Sequence, residues 1–505
     1  MRLCLLLILM LSIVLPAFAQ ETQPAEDSLT LQEAIDLALE NNLGLKAERL
    51  NPEIDDTFVV EESGRFEPLF FANLSNQNAD IPTGSRLAGE GTLRNKDLSY
   101  DVRLDQLLTT GTSYSVVFDN TRFETNQLFT SFNPRYDSSL FGNVRQPLMR
   151  NFGREITLTP INIAKTNRLA SDARLNTRAL DIELQVTQAY LDYAFANAEL
   201  EVFKQSLAYA KDLYENNKKQ VEVGTMAPLE VVVAEAEVAT RDQAIIAGEV
   251  AIENNEDRLR QLIYGEKVAD WKQDIVLPGK PPAFVDVGIT EEEAIRRALE
   301  NNPDIEALEM DLKSRNLSTK LARNATKPLI DLTGGFGWTG LGGPRLIFND
   351  DIFNPEPIGV ESGSYADALS TMFENPTWTV GLIVELPIGN KQAEAAFVRA
   401  DLAEDQTKVI LDDTKVQLVQ NVRTAMRNIK ASLKLIESSR ASVVLQEKKL
   451  DAERKKLNVG LSTNNVVLDF QEDLARSRSA ELLSIIAYLK NVAQLQRFMG
   501  EKIKF

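Results

Sequence analysis

Histidine is absent from all 505 residues, and the single cysteine, Cys4, stands close to the N-terminus. Past that point the chain offers no His or Cys metal centre, no Ser-His-Asp triad and no cysteine nucleophile. Basic residues number 55 against 74 acidic ones, a formal charge of −19, and no basic run interrupts the balance. A nucleic-acid partner is therefore not expected. The acids that remain are not paired in a way that demands catalysis, so the chain reads as a non-enzyme without a cofactor. Beyond residue 20 no stretch is long and apolar enough for a membrane helix, so any insertion into a bilayer must use strands.

The N-terminus has the parts of a secretory signal peptide over residues 1–19. Arg2 supplies the positive start, residues 3–15 the apolar run, and Ala17-Phe18-Ala19 a small-residue cleavage site. The run is short for a transmembrane anchor, and Cys4 stands at its start, well before the cleavage site, so it is not placed for lipid attachment. The chain is expected to leave the cytoplasm.

What is present is dominated by two glycine tips. Val223-Gly224-Thr225-Met226-Ala227-Pro228 separates two polar, alanine-containing runs, one of about 162–223 without a proline and one of about 228–264 whose only proline is its first residue, Pro228. Glycine suits a helix C′ position because it takes positive φ without a Cβ clash, and proline suits the first turn of the next helix. Gly224 thus marks the turn of a long helical hairpin. Val459-Gly460-Leu461 stands in the same way between runs 392–458 and 464–499.

The two tips belong to an internal repeat. Thr30-Leu31-Gln32-Glu33-Ala34-Ile35 and Ala38-Leu39-Glu40-Asn41-Asn42 recur as Thr290-Glu291-Glu292-Glu293-Ala294-Ile295 and Ala298-Leu299-Glu300-Asn301-Asn302, and Pro68-Leu69 recurs as Pro328-Leu329 at the same offset. The boundaries follow as 20–264 for the first repeat, 265–288 for a linker and 289–505 for the second. Residues 21–28 form a polar arm. Thr30 with Glu33 predicts a capping box ahead of an amphipathic helix, and a less regular helix follows over 45–63.

After Pro68 the period changes to two. Strands are predicted over 69–75, 97–107, 112–121, 138–147, 329–339 and 375–388. Leu98, Tyr100, Val102 and Leu104 alternate with Ser99, Asp101, Arg103 and Asp105; Trp338 and Trp378 sit on the apolar faces of the later pair. Residues 340–373 read as a long loop. Soluble sandwiches alternate in the same way, but strands entered and left by helices, with no second sheet to cover them, suit a membrane barrel closed between copies. Some sixty residues at 1.5 Å each make hairpins about 90 Å long. Their apolar positions are too broken by small and polar residues for a strict coiled coil, and fit a hollow wall wetted on both sides.

In combination these segments resemble the TolC-like outer-membrane factor family over essentially all of residues 20–505. The carrying motifs are Leu29-Thr30-Leu31-x-x-Ala34-Ile35-x-x-Ala38-Leu39-x-x-Asn42 with its copy at 289–302, Gln146-Pro147-Leu148, Val223-Gly224-Thr225-x-x-Pro228-Leu229-Glu230-Val231-x-x-Ala234-Glu235, and Val459-Gly460-Leu461 with Asn465-Val466-Val467. The resemblance implies an internally duplicated α+β fold, mainly α, in which three protomers form one cylinder. Each gives four strands to a twelve-stranded outer-membrane β-barrel, and the hairpins build a periplasmic α-barrel. It implies passive conduction, for drug efflux or type I secretion, with the tips docked to a periplasmic adaptor (a membrane fusion protein) and an inner-membrane efflux or ABC transporter. Outer-membrane lipid surrounds the barrel.

By the same resemblance Val223, Gly224, Thr225, Val459, Gly460 and Leu461 form the adaptor-docking surface. The family often narrows its tunnel with two Asp shortly past the second glycine. Here the first position is Val466 and the second Asp469, while Glu230 matches after the first tip. Asp469 stands equally as part of a solvated helix face with Glu472 and Asp473. The strand pair within 97–121, absent from the second half, is either an outlying hairpin or two further barrel strands per protomer. The alternative for the whole chain is a coiled-coil spacer of the periplasm or cell surface without a pore.

Overall fold

Thr30 caps the first helix by accepting from the Glu33 amide, and Glu33 returns the bond to the Thr30 amide at 2.8 Å. Thr290 accepts in the same way from Glu293 at the head of the second repeat. The duplication thus extends to the hydrogen bonds that start each half. The computed structural model describes residues 28–84, 91–267, 275–277, 288–350 and 356–504. The expected signal peptide, nearly all of the arm and most of the linker lie outside the described residues.

The first half runs α1 (Leu31–Asn41), α2 (Leu43–Gly64), β1 (Leu69–Pro82), β2 (Thr92–Leu107), β3 (Ser113–Thr125), β4 (Arg135–Pro147), α3 (Arg154–Glu222) and α4 (Pro228–Tyr264). The second runs α5 (Glu291–Asn301), α6 (Pro303–Ala325), β5 (Leu329–Gly342), β6 (Arg345–Phe348), β7 (Pro357–Glu361), α7 (Tyr365–Met372), β8 (Pro376–Glu385), α8 (Lys391–Asn458) and α9 (Asn464–Phe498). Helix α3 has 69 residues, a rod of about 100 Å. It contains Pro160 in its second turn, where the ring takes one bond from the helix and crowds the Ile156 carbonyl.

Each half closes on a glycine. Gly265, just past α4, has φ 56, and a Cβ there would stand 2.4 Å from the Asn41 carbonyl oxygen at the end of α1. Gly500, just past α9, has φ 71, and a Cβ would stand 2.3 Å from the Asn301 carbonyl at the end of α5. Only glycine fits where these helix ends meet.

Apolar burial lies between helices. Ala34, Ile35 and Ala38 of α1 pack on Ile182, Val186 and Ala189 of α3 and Leu259 and Ile263 of α4. Ala294 and Ala298 of α5 pack on Val422 and Met426 of α8 and Tyr488, Leu489 and Val492 of α9. Ion pairs join the halves: Arg497 of α9 reaches Asp181 of α3 at 2.7 Å, Arg174 reaches Asp311 at 2.6 Å, and Lys490 pairs with Asp192; Arg497 also reaches Asp304 of α6, within the second half, at 2.9 Å. Beside the sheet the helices stand in the order α2-α3-α6-α8, and toward the tips in the order α4-α3-α9-α8.

The strands form one antiparallel sheet in the order β1-β2-β3-β4-β5-β8. This corrects the expectation of four strands per copy. β2 and β3 are not an outlying hairpin; they lie between β1 and β4 and are bonded on both sides. The alternation along β2 and β3 continues in phase with their neighbours, which is what lets them enter the sheet. The region read as a loop over 340–373 is also corrected. It holds the β6–β7 hairpin and α7, which packs on β4 and β5. These elements are too short to show a period; the Ser364–Asp367 capping box was the local signal.

One buried acid generates a stability prediction. Glu183 of α3 is 4 % exposed and accepts from the Ile503 amide at 3.1 Å. Burial raises its pKa, opposed by that hydrogen bond and the Lys502 charge, and assisted by Asp36. A raised carboxyl favours the fold when protonated, and that contribution is lost as pH rises through the raised value. Glu183→Gln keeps an acceptor without the charge. Its melting temperature should match the parent near pH 4 and exceed it at pH 8, read by thermal circular dichroism; a variant less stable at pH 8 would contradict the assignment.

Candidate functional site: a two-faced sheet and two helical tips

Every ladder in the sheet pairs odd residues with odd and even with even. The six strands therefore share two common faces. The even face carries Phe70 and Leu74 of β1, Leu98, Val102 and Leu104 of β2, Val116 and Phe118 of β3, Leu140 and Val144 of β4, Leu332, Phe336 and Trp338 of β5, and Trp378, Val380 and Leu382 of β8. Phe70 is 66 % exposed, Trp378 72 % and Val380 71 %. A continuous apolar surface of this extent needs a cover other than water. From Ile330 to Trp338, at about 3.3 Å per residue and a tilt of about 40°, the apolar band is roughly 20 Å tall. That is close to the belt of about 25 Å on outer-membrane barrels.

Aromatic rings gather at the end of the band away from the helices. Tyr365 of α7 lies 6.1 Å from Tyr100 and 6.0 Å from Tyr136, ring to ring, and Phe373 lies 5.5 Å from Trp338. The Tyr365 hydroxyl donates to Asn120 Oδ1 at 2.7 Å, as does Ser138 at 2.8 Å. Amphipathic rings at the upper edge of an apolar band match an aromatic girdle. Beyond them the even face turns polar, with Arg94 and Lys96 on β2 and Arg122 and Glu124 on β3.

The odd face is polar and acidic. Asp97, Asp101 and Asp105 of β2, Asp119 of β3, Asp137 of β4, Asp331 of β5 and Glu385 of β8 outnumber Arg103, Arg135 and Arg145. Phe71, Val117, Phe141 and Ile383 interrupt it. Arg103 pairs with Asp105 at 2.9 Å, Arg135 with Asp137 at 2.8 Å, and Arg145 with the buried Asp331. A recess of about 700 Å³ beside the α2–β1 junction opens on this face, among Asp105, Ser115, Asn143, Arg145 and Thr333. Such a surface suits water and hydrated solutes.

At the other end of the molecule the predicted tips adopt the same backbone. Gly224 and Gly460 both have φ 76. The Thr225 amide donates to the Gln220 carbonyl and the Leu461 amide to the Lys456 carbonyl, each at 2.9 Å. Gly224 and Gly460 donate to Val221 and Leu457, which completes a Schellman motif at each tip. Val223, Val459 and Leu461 are 73 %, 70 % and 77 % exposed. A Schellman motif usually buries an apolar contact at its C″ residue; Leu461 leaves that contact unmade.

The structure ties the tips together through a residue that sequence reasoning missed. Asn464, 2 % exposed at the start of α9, donates to Glu230 Oε2 at 2.8 Å, and Asn217 of α3 donates to the Glu230 carbonyl at 3.2 Å. Nothing in the sequence distinguishes Asn464 from its neighbour Asn465. Glu230 is thus engaged within the chain. Asp469 is exposed on the face of α9 that also carries Asn465 and Glu472. The two acids expected to narrow a passage are not in contact in one chain. Among the described residues no cluster of acids could hold a metal ion, and no helix is long and apolar enough to cross a membrane.

The glycines differ in what they must satisfy. Nothing lies within 4 Å of a Cβ at Gly224 or Gly460, so only φ requires glycine there, whereas Gly500 also meets a carbonyl. Gly224→Ala and Gly460→Ala should each cost about 1–2 kcal/mol in chemical unfolding, the left-handed penalty alone. Gly500→Ala should cost more than either. Equal losses at all three would contradict the close approach at Gly500.

The model of the outer membrane efflux protein family matches residues 106–264 and 294–501. No curated protein matches the sequence. Among solved structures, the Campylobacter jejuni CmeC outer membrane channel is 17 % identical at a TM-score of 0.66, covering 94 % of this chain and 86 % of that one. The Vibrio cholerae outer membrane protein VceC is 15 % identical at 0.65, covering 94 % and 97 %. The open state of the Neisseria gonorrhoeae MtrE outer membrane channel is 20 % identical at 0.61, covering 94 % and 89 %. These likenesses establish the fold. With the family model matched in both halves, around the two hairpins described above, the chain belongs to the outer membrane efflux protein family.

Proposed function

We propose that this chain is the outer-membrane subunit of a tripartite efflux pump or type I secretion system. It acts as a passive duct, a homotrimer with its sheet in the outer membrane and its hairpins in the periplasm. The observation that carries this reading is the parity of the sheet: one apolar face for lipid and one acidic face for water, continuous over six strands. A coiled-coil spacer without a pore would leave that apolar face in water.

Docking to a periplasmic adaptor falls to Val223, Gly224, Thr225, Val459, Gly460 and Leu461, supported by the bare apolar side chains on rigid glycine turns. The inner-membrane transporter, an efflux pump or an ABC transporter, then supplies the energy. Near the tips Asp469 and Glu230 form the constriction of this reading. Asp469 is the exposed member; three copies around one axis would repel anions and attract cations. Glu230 acts more as the bond that holds the tips together.

Single-channel recording in planar bilayers tests this. Discrete, cation-selective steps are expected, and Asp469→Asn should lower the cation preference several-fold while steps persist. Unchanged selectivity would remove Asp469 from the constriction and leave the channel. Folded, inserted protein that stays silent even after Asn464→Ala loosens the tips would overturn the channel.

A further inference from the structure

Among the described residues, the two flanks of the molecule are unpartnered in the sheet and in the helices beside it. In the sheet, β1 and β8 each lack a neighbour on one side. Above them in the chain, α2 leads into β1, and α8 follows β8. α2 rests on α3 and leaves Leu43, Leu50, Ile54 and Phe58 about half exposed. α8 rests on α6 and leaves Val398, Leu402, Val409 and Val416 exposed. One flank is therefore α2 with β1 and the other α8 with β8, both apolar. Unlike surfaces that meet head to tail generate a ring when the rotation closes. The strand directions allow it. β1 runs away from the helices and β8 runs back, so β8 of one copy meets β1 of the next antiparallel, as every pair within the sheet already is.

Strand count and helix count then agree in girth. Four helices per copy stand beside the sheet. Twelve helices in three copies, 8–10 Å apart, make a perimeter of about 100–120 Å. Strands about 4.8 Å apart and tilted about 40° occupy roughly 6 Å of perimeter each. Eighteen strands give about 110 Å, whereas twelve would give about 75 Å. The β2–β3 pair, which joins no helix, brings the barrel to the width of the wall beneath it.

The register also limits the seam. Following the ladder level from Leu69 of β1 leads through Asp105, Ser115, Asn143 and Gly335 to Thr379 of β8. Thr379 lies six residues from Glu385, the end of β8 nearest the helices. A threefold ring must meet the next β1 after an even climb, to keep odd residues facing odd. Climbs of about six or eight residues per copy correspond to strand tilts of about 35° and 43°, inside the usual range for barrels.

We infer that three copies close into one eighteen-stranded barrel, β1 of each paired with β8 of the next, with Thr379 facing Ser75 or Gln77 across the seam. This rests on the trimeric channel proposed above. The barrel is about 35 Å across between backbones, against about 24 Å for twelve strands. It passes bulky hydrated solutes as freely as the helical tunnel, so selection by size falls to the tips.

The test uses the full chain in outer membranes with Cys4→Ser. Ser75→Cys with Thr379→Cys, and Gln77→Cys with Thr379→Cys, are oxidised and run on denaturing gels, since facing strand residues lie within disulfide reach. One of the two should shift from monomer to a covalent trimer that reductant dissolves. Asn76→Cys with Thr379→Cys, on opposite faces, should stay monomeric. Asn73→Cys with Asp101→Cys, facing residues of β1 and β2, should link within one chain in the same membranes. A trimer by native mass spectrometry that neither seam pair captures would overturn this barrel and leave the channel. A seam link without the β1–β2 link would reduce the strand count and overturn it as well. A monomeric protein would overturn both the barrel and the trimeric reading.

Discussion

The structure depends on a constraint of register. Each ladder joins residues of like parity, so an alternation that begins in β1 arrives in phase at β8. A slip by one residue in the β2–β3 ladder would place Asp101 on the face of Phe118, and one in the β3–β4 or β4–β5 ladder would place Asp119 on the face of Trp338. The six strands would then have no common apolar surface. Small residues help the faces stay uniform. Gly335 and Gly337 on β5 sit where a Cβ would meet the side chains of Thr379 and Phe141 at under 3 Å.

Below the sheet the constraint is different. The rods are held by neighbours that change along their length: α3 by α1, α2, α4, α6 and α9, and α8 by α5, α6 and α9. Their stability comes mainly from apolar side chains buried between helices, as at Ile182, Val186 and Leu489, with small residues such as Ala189 and Ala196 allowing close approach and Arg497 bridging Asp181 and Asp304. Outward flanks of α2, α4 and α8 keep apolar side chains that a single copy does not cover. The same chain is thus complete in its vertical contacts and incomplete in its lateral ones.

Much of this was legible in the sequence, because the signals were local. Gly224 and Gly460 marked the tips, Thr30 and Thr290 the opening caps, and alternation at Leu98–Leu104 the face of β2. The expectation of four strands failed because it came from resemblance, whereas the residues of β2 and β3 themselves spelled two more. α7 escaped because eight residues carry too little period. Asn464 and its bond to Glu230 were invisible for another reason: they depend on how two hairpins, far apart in sequence, come together.

The central claim is that the sheet has one lipid face and one water face. Spin labels at consecutive positions 98–105 and 377–384, in protein reconstituted in bilayers, test it by collision with oxygen and with an aqueous nickel complex. The account predicts alternation of period two in both segments, with even positions favouring oxygen and odd positions favouring nickel. Equal access to nickel at Val102 and Asp101, and at Val380 and Thr379, would contradict it.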